Sequence, residues 1–233
     1  MTILFDLDGT LLPMDQNKFI EVYFGLLYGK MQSHGYQAHA LIEAINLGTD
    51  AMINNDGKTS NEKRFWESFS SSLGQKVVED KYLFEDFYRN EFQLAKSACG
   101  FHPGAQEVVT WLLERGHRLV LATNPVFPQI ATYHRIHWAG LSPDDFELYT
   151  TYEDFHFCKP NLLYYNEIME KINEKPENCI MIGNDVQEDL IAKKLRMNVF
   201  LLTDCLINDK NEDISLYPQG SFEELQAYLR KIV

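Results

Sequence analysis

The sequence predicts an α/β fold: a parallel sheet covered by helices, with an all-helical block set into the chain after the first strand. Three observations carry this. Past Gly100, short apolar runs alternate with helical patterns, as strand–helix–strand units require. Those runs are nearly continuous in Val, Ile, Leu and Phe, the mark of strands buried on both faces. Between Asp15 and Ala98 there is no strand pattern, and amphipathic segments recur instead.

The first predicted strand covers residues 2–5 and runs into Asp6-Leu7-Asp8-Gly9-Thr10. Helices are predicted over about 16–32, 37–54, 61–73 and 79–96. Thr59-x-x-Glu62 has capping-box spacing for the third helix, and Asp56-Gly57 marks the turn before it. In the fourth, Leu83, Phe84, Phe87, Tyr88 and Phe92 share one face and are expected in the core. A helix over 104–115 is closed by Gly116, and a strand over 118–122 leads into Thr123-Asn124-Pro125. A helix over 126–136 and a weaker strand over 148–151 precede Lys159-Pro160. A helix over 162–172 and a strand over 179–182 lead into Gly183-Asn184-Asp185. A helix over 189–195, a strand over 199–202 and a surface loop over 204–220 come next, and Ser221-x-x-Glu224 caps the last helix.

A chain of 233 residues, 45% of them apolar, has room for a core domain plus a smaller insert. The net charge of −13 opposes binding to nucleic acid or anionic membranes. No apolar run reaches the roughly 18 residues of a membrane span. Chemistry-bearing residues begin at Asp6, which leaves no space for a leader peptide. Cys99, Cys158, Cys179 and Cys205 lack metal-ligand spacing, so a cytoplasmic protein is expected.

In open parallel sheets, ligands bind beyond the carboxyl ends of the strands. Here those ends carry Asp6, then Thr123 and Asn124, then Lys159, then Asp185. Each is by itself an ordinary turn or loop residue; their arrival at successive strand ends is what points to a site. Two carboxylates repel unless a hard cation lies between them, and magnesium is the usual partner of phosphates. With Lys159, it would neutralise a phosphate enough for Asp6 to attack phosphorus. Thr123 and Asn124 would hold the phosphoryl oxygens. Asp8, two residues along a strand from Asp6, is expected to face the same cleft and to act as general acid and base, its pKa raised by burial and a like charge. Thr10 would anchor the turn. Asp189, four residues past Asp185, would orient Lys159 or a water. His134 with His137, and His156 with Cys158, lack the further partner that a metal or nucleophilic site needs.

These motifs resemble the haloacid dehalogenase superfamily. Its Asp-x-Asp-x-Thr motif matches Asp6 to Thr10, its strand-ending Ser or Thr matches Thr123, its Lys matches Lys159, and its paired-aspartate motif matches Gly183 to Asp189. The resemblance implies a Rossmann-like sheet of order 3-2-1-4-5 with a helical cap, divided as core 1–14 and 99–233 and cap 15–98. It implies Asp6 as nucleophile, Asp8 as acid/base, and Mg2+ held by Asp6, the Asp8 carbonyl and Asp185. Dehalogenases proper lack a carboxylate at position 8, so phosphate chemistry is expected. Asn184 departs from the commoner Gly-Asp pair. The cap loop at about 54–59 would reach the site and bring Lys58 to the substrate. The cap would close about hinges near 12–15 and 98–102.

The expected activity is hydrolysis of a small phosphorylated metabolite. A sugar phosphomutase using the same nucleophile is the alternative within phosphoryl transfer. A non-catalytic phospholigand-binding module is the alternative outside it.

Overall fold

The computed structural model describes residues 1–232. The chain runs β1 (Thr2–Phe5), α1 (Gln16–Met31), α2 (Ala38–Ile53), α3 (Asn61–Leu73), α4 (Lys76–Glu79), α5 (Lys81–Arg89), α6 (Pro103–Glu114), β2 (Arg118–Leu121), α7 (Gln129–Trp138), β3 (Leu148–Tyr149), α8 (Leu162–Ile172), β4 (Cys179–Gly183), β5 (Asn198–Leu202), β6 (Gln219–Gly220) and α9 (Phe222–Ile232). Among the described residues the strands form one sheet of order β3-β2-β1-β4-β5-β6, all pairs parallel. This is the expected order with one short edge strand added, β6, drawn from the end of the predicted surface loop.

Alternation along β1 builds the two faces of the sheet. Ile3 and Phe5 enter a core that includes Val108 of α6 and Leu225 of α9. Leu4 enters the opposite core with Tyr164 and Ile168 of α8. The helical insert between β1 and β2 shares the first core: Phe92 stacks on Trp138 at 5.3 Å between centroids, and Phe19 meets Phe127 at 6.3 Å. The chain's two passages into and out of the insert lie side by side, since Met14 bridges Cys99 and Gly100 N–H donates to the Pro13 carbonyl at 2.7 Å.

Three expectations need correction. The helix expected over 79–96 is broken: α4 and α5 are separate, and a 3₁₀ segment (Glu91–Ala98) comes after Asn90, whose φ of −115° and ψ of −81° leave the helix. The aromatic stripe survives the break because Leu83, Phe84, Phe87 and Phe92 are all buried. The cap of α3 is Ser60 rather than Thr59; its hydroxyl accepts from Lys63 N–H at 3.3 Å, while the Thr59 carbonyl is taken by Asn55 Nδ2 at 2.9 Å. Residues 189–195 form a 3₁₀ turn (Leu190–Leu195) rather than an α-helix. The capping box at Ser221 and Glu224 forms as expected, with both reciprocal hydrogen bonds present. No helix among the described residues is long and apolar enough to cross a membrane.

Candidate active site

The ends of β1, β2 and β4 bring the polar residues together. Asp6 N–H donates to the Ile182 carbonyl at 2.8 Å, which sets Asp6 directly beside Gly183. Lys159, 1% exposed, reaches in from the loop after β3 and donates to Asp6 Oδ1 at 2.8 Å and to Asp189 Oδ1 at 2.6 Å. Burial works against its charge, but Asp189 and Asp6 outweigh that and hold its pKa well above the ordinary lysine value. The Lys159–Pro160 peptide is cis.

Two glycines permit this closeness. At Gly9 the φ of +88° suits glycine, and a Cβ there would lie 2.3 Å from Asn184 Nδ2. At Gly183 a Cβ would lie 2.0 Å from Asp189 Oδ2, so the Asp189 carboxylate occupies the space of the missing side chain. There Asp189 also accepts from Asp185 N–H at 3.0 Å.

Thr10 Oγ1 donates to Asn184 Oδ1 at 2.9 Å and lies 3.3 Å from Asp6 Oδ2. Asn184 in turn donates to the Cys205 carbonyl at 2.7 Å. The residue that departs from the family pattern thus ties the first motif to the loop after β5. Thr123 is buried, and its carbonyl accepts from Tyr164 Oη at 2.9 Å. In the Asn124 side chain Oδ1 accepts from Lys159 N–H at 3.2 Å and Nδ2 donates one of its two hydrogens to Glu188 Oε1 at 3.0 Å. It braces the Lys159 loop.

Asp8 comes near Asp6 by a route other than strand alternation. The strand ends at Phe5, and the chain then enters a tight turn in which Thr10 and Leu12 N–H both donate to the Leu7 carbonyl. Burial raises the Asp8 pKa, Arg135 opposes the rise and Asp6 adds to it. Arg135 was not foreseen. It is 1% exposed, forms an ion pair with Asp8 Oδ2, and donates to Thr132 Oγ1 at 3.1 Å. Asp8 Oδ1 is buried without a hydrogen-bond partner. A signal existed in α7: Arg135 sits among the buried positions Ala131, Thr132, Ile136 and Ala139, and an arginine on a core stripe demands a buried counter-charge.

Glu188 was also missed. Burial pushes its carboxyl up to about 8; Lys159 opposes this, and Asp189, Asp185 and Asp6 reinforce it. The Lys58 side chain is 83% exposed and its ammonium lies 2.6 Å from Asp56 Oδ2. Asn55 and Asn61 of that region are buried; Asn61 N–H donates to the Phe155 carbonyl at 2.8 Å and its Oδ1 accepts from Asn55 Nδ2 at 2.9 Å.

The donor set suits a hard cation. Asp185 Oδ1 is committed to Gln187 and Glu188 N–H, each at 2.8 Å. No hydrogen bond to Asp185 Oδ2 or to the Asp8 carbonyl is found among the described residues. No group of three or more His, Cys, Asp or Glu side chains there is set to hold a metal alone, and the Asp6 and Asp185 carboxylates and the Asp8 carbonyl are oxygen donors of the kind magnesium takes.

Comparison with known proteins places the chain in a family. The model of the haloacid dehalogenase-like hydrolases matches residues 1–194. The chain belongs to that family. It is 26% identical over 210 residues to the phosphoglycolate phosphatase of Vibrio parahaemolyticus, covering 86% of this chain and 82% of that protein. Its fold is similar to that of a 2-haloacid dehalogenase from Pseudomonas syringae pv. Tomato (TM-score 0.66, 17% identity, full coverage of both chains). It is also similar to that of a HAD-hydrolase from Bacillus subtilis described as bound to magnesium (TM-score 0.60, 24% identity, 98% of each chain).

Proposed function

We propose that this hydrolase is a magnesium-dependent phosphatase acting on a small phosphate monoester, with Asp6 as the nucleophile. The observation that carries the reading is the Asp6–Lys159–Asp189 chain of buried ion pairs at the strand ends, with a second carboxylate, Asp8, beside it. A dehalogenase needs only the first carboxylate; Asp8 is what phosphate-ester cleavage adds.

Asp6 attacks phosphorus as the ester P–O bond breaks, giving an aspartyl-phosphate. Asp8, kept protonated more readily by burial, gives its proton to the leaving oxygen. It then takes a proton from the water that splits the acyl phosphate. Arg135 holds Asp8 in place. Lys159, held by Asp189, stabilises charge on the phosphoryl oxygens, and the Thr123 hydroxyl binds one of them. Mg2+, when bound by Asp6, the Asp8 carbonyl and Asp185, supplies positive charge that lets the phosphate dianion approach a carboxylate. Residues 15–98 serve as the cap over a core of 1–14 and 99–233, with the paired segments at Met14 and Cys99 as hinge. The free cysteines suit a reducing cytoplasm.

The test is phosphate release from acetyl phosphate and a panel of small monoesters. It is expected with Mg2+, lost with chelator, and reduced about a thousandfold or more in Asp6→Asn. A folded, metal-replete protein inert toward the whole panel would overturn the reading.

A further inference from the structure

The first turn of α3 is bonded to the core. A helix start leaves backbone N–H groups that no carbonyl of the helix reaches. Here Asn61 N–H donates to the Phe155 carbonyl at 2.8 Å and Glu62 N–H to the Tyr152 carbonyl at 2.7 Å. Both carbonyls belong to the loop after β3, which leads into Lys159. The Asn61 side chain goes further. It is fully buried, and its Nδ2 lies 3.4 Å from the Pro125 carbonyl, 3.5 Å from the Phe157 carbonyl and 3.3 Å from Cys158 Sγ. Pro125 follows Asn124 in the loop after β2, and Cys158 precedes Lys159. One amide of the insert thus spans both loops. Its direction is fixed from behind, because Asn55 Nδ2 donates to Asn61 Oδ1 at 2.9 Å while Asn55 Oδ1 accepts from Gly57 N–H at 3.2 Å.

We infer that Asn61 is a positioning residue: a pin from the insert that sets the spacing of the two loops carrying Thr123, Asn124 and Lys159. Its effect on turnover rests on the phosphatase reading; its effect on the loops does not. On the side of the site the loops are already joined, since Lys159 N–H donates to Asn124 Oδ1 at 3.2 Å. That bond alone fixes a distance and lets the loops turn about it. Asn61 adds a second tie, at the residue after Asn124 on one loop and at the residues before Lys159 on the other. Two ties fix the angle as well. A buried amide stripped of its acceptors is costly, so the insert and the loops hold one another in place. The Lys159 ammonium and the Thr123 hydroxyl act on the same phosphoryl group, and a small turn of either loop would part them. The bonds of Asn61 go to the loop backbones and Cys158, so it acts through the loops.

The experiment compares Asn61→Ala with Val77→Ala. Val77 is buried in α4, just past the other end of α3, so its truncation loosens the insert away from both loops. Two quantities are read: kcat and KM for acetyl phosphate with Mg2+, and amide hydrogen exchange by mass spectrometry. Asn61→Ala is expected to lower kcat about tenfold or more while KM stays within about threefold. It is expected to speed exchange at least about fivefold in peptides covering both 122–127 and 152–159. Val77→Ala should leave kcat within about twofold and both peptides unchanged. Asn61→Ser, whose hydroxyl is too short to span the loops, replaces the alanine variant should that fail to fold. A kcat equal to that of Val77→Ala, faster exchange confined to the insert, or a loss carried by KM alone overturns the inference. If wild type does not hydrolyse acetyl phosphate, the phosphatase reading fails and exchange alone decides: faster exchange in both loops supports the pin, and unchanged loops overturn it.

Discussion

The strand-end site and the helical insert are built on opposite terms. At the strand ends, polar groups are fixed within a few bonds of the sheet, and almost every one is bonded to another member of the site. In the insert, aromatic side chains from α1, α3 and α5 meet only because separate helices pack together. The contrast teaches where each property is stored. Chemistry is stored locally, in the few residues just past a buried strand. The insert's shape is stored in tertiary packing, where one ring shifted moves its neighbours.

The largest test of this contrast is Lys159→Met. It leaves Asp6 and Asp189 facing each other with no cation between them. Phosphatase activity should fall about a thousandfold or more, and the fold should lose about 3–5 kcal/mol in urea unfolding, because a buried charge loses its partner. A variant as stable as wild type would mean that the strand-end network is not the rigid part of the molecule.

Arg135→Met asks the same question one layer out. Asp8 retains some solvent contact, its side chain being 18% exposed, so the loss should be smaller, about 2–3 kcal/mol. As Arg135 positions Asp8 without touching phosphate, kcat should fall while KM for acetyl phosphate changes little. An equal rise in KM would place Arg135 at the substrate instead.

These two residues also show what the sequence could and could not disclose. Lys159 is legible because it comes after a predicted strand, and a sheet presents its strand ends on one side. Asp6, Asp185 and Asp189 are legible for the same reason, and the strand order differs from the expectation only by the two-residue β6, too short to carry a pattern. Arg135 sits on a helix whose register against the sheet decides which side chain meets Asp8, and no local spacing encodes that register. The break at Asn90 is similar: periodicity of the aromatic stripe runs through it, and Phe92 just past it packs against Trp138, far along the chain. Asn124 is legible by position, while its bonds to Lys159 and Glu188 depend on loops that meet only in the fold.

Glu188→Gln gives a smaller, pH-dependent effect. The folded-state pKa of Glu188 is raised from 4.5 to about 8 in the metal-free protein. Between those values the fold keeps a proton that the unfolded chain has released, so the group's contribution to stability falls as pH rises through that window. Above about 8 the fold carries a buried charge beside Asp185, Asp189 and Asp6, with Lys159 and the Asn124 amide as its favourable neighbours. Glutamine cannot ionise. With chelator present, the variant should therefore gain on wild type in Tm as pH rises from 5 and level off above about 8. A difference independent of pH would show that Glu188 is ionised throughout.

The smallest expected effect is the sharpest test of the insert's role. Lys58 is the cation that loop position would assign to substrate, yet its side chain points to water and pairs with Asp56, whose pKa it lowers through that hydrogen bond. An exposed pair of this kind contributes little to stability. Lys58→Ala should leave unfolding free energy within about 0.5 kcal/mol and kcat/KM for phenyl and acetyl phosphate within about twofold. The loop's hold on the core runs through Asn61, which the substitution leaves intact. A tenfold rise in KM would mean that the loop swings its ammonium inward during turnover. The insert would then recognise charge.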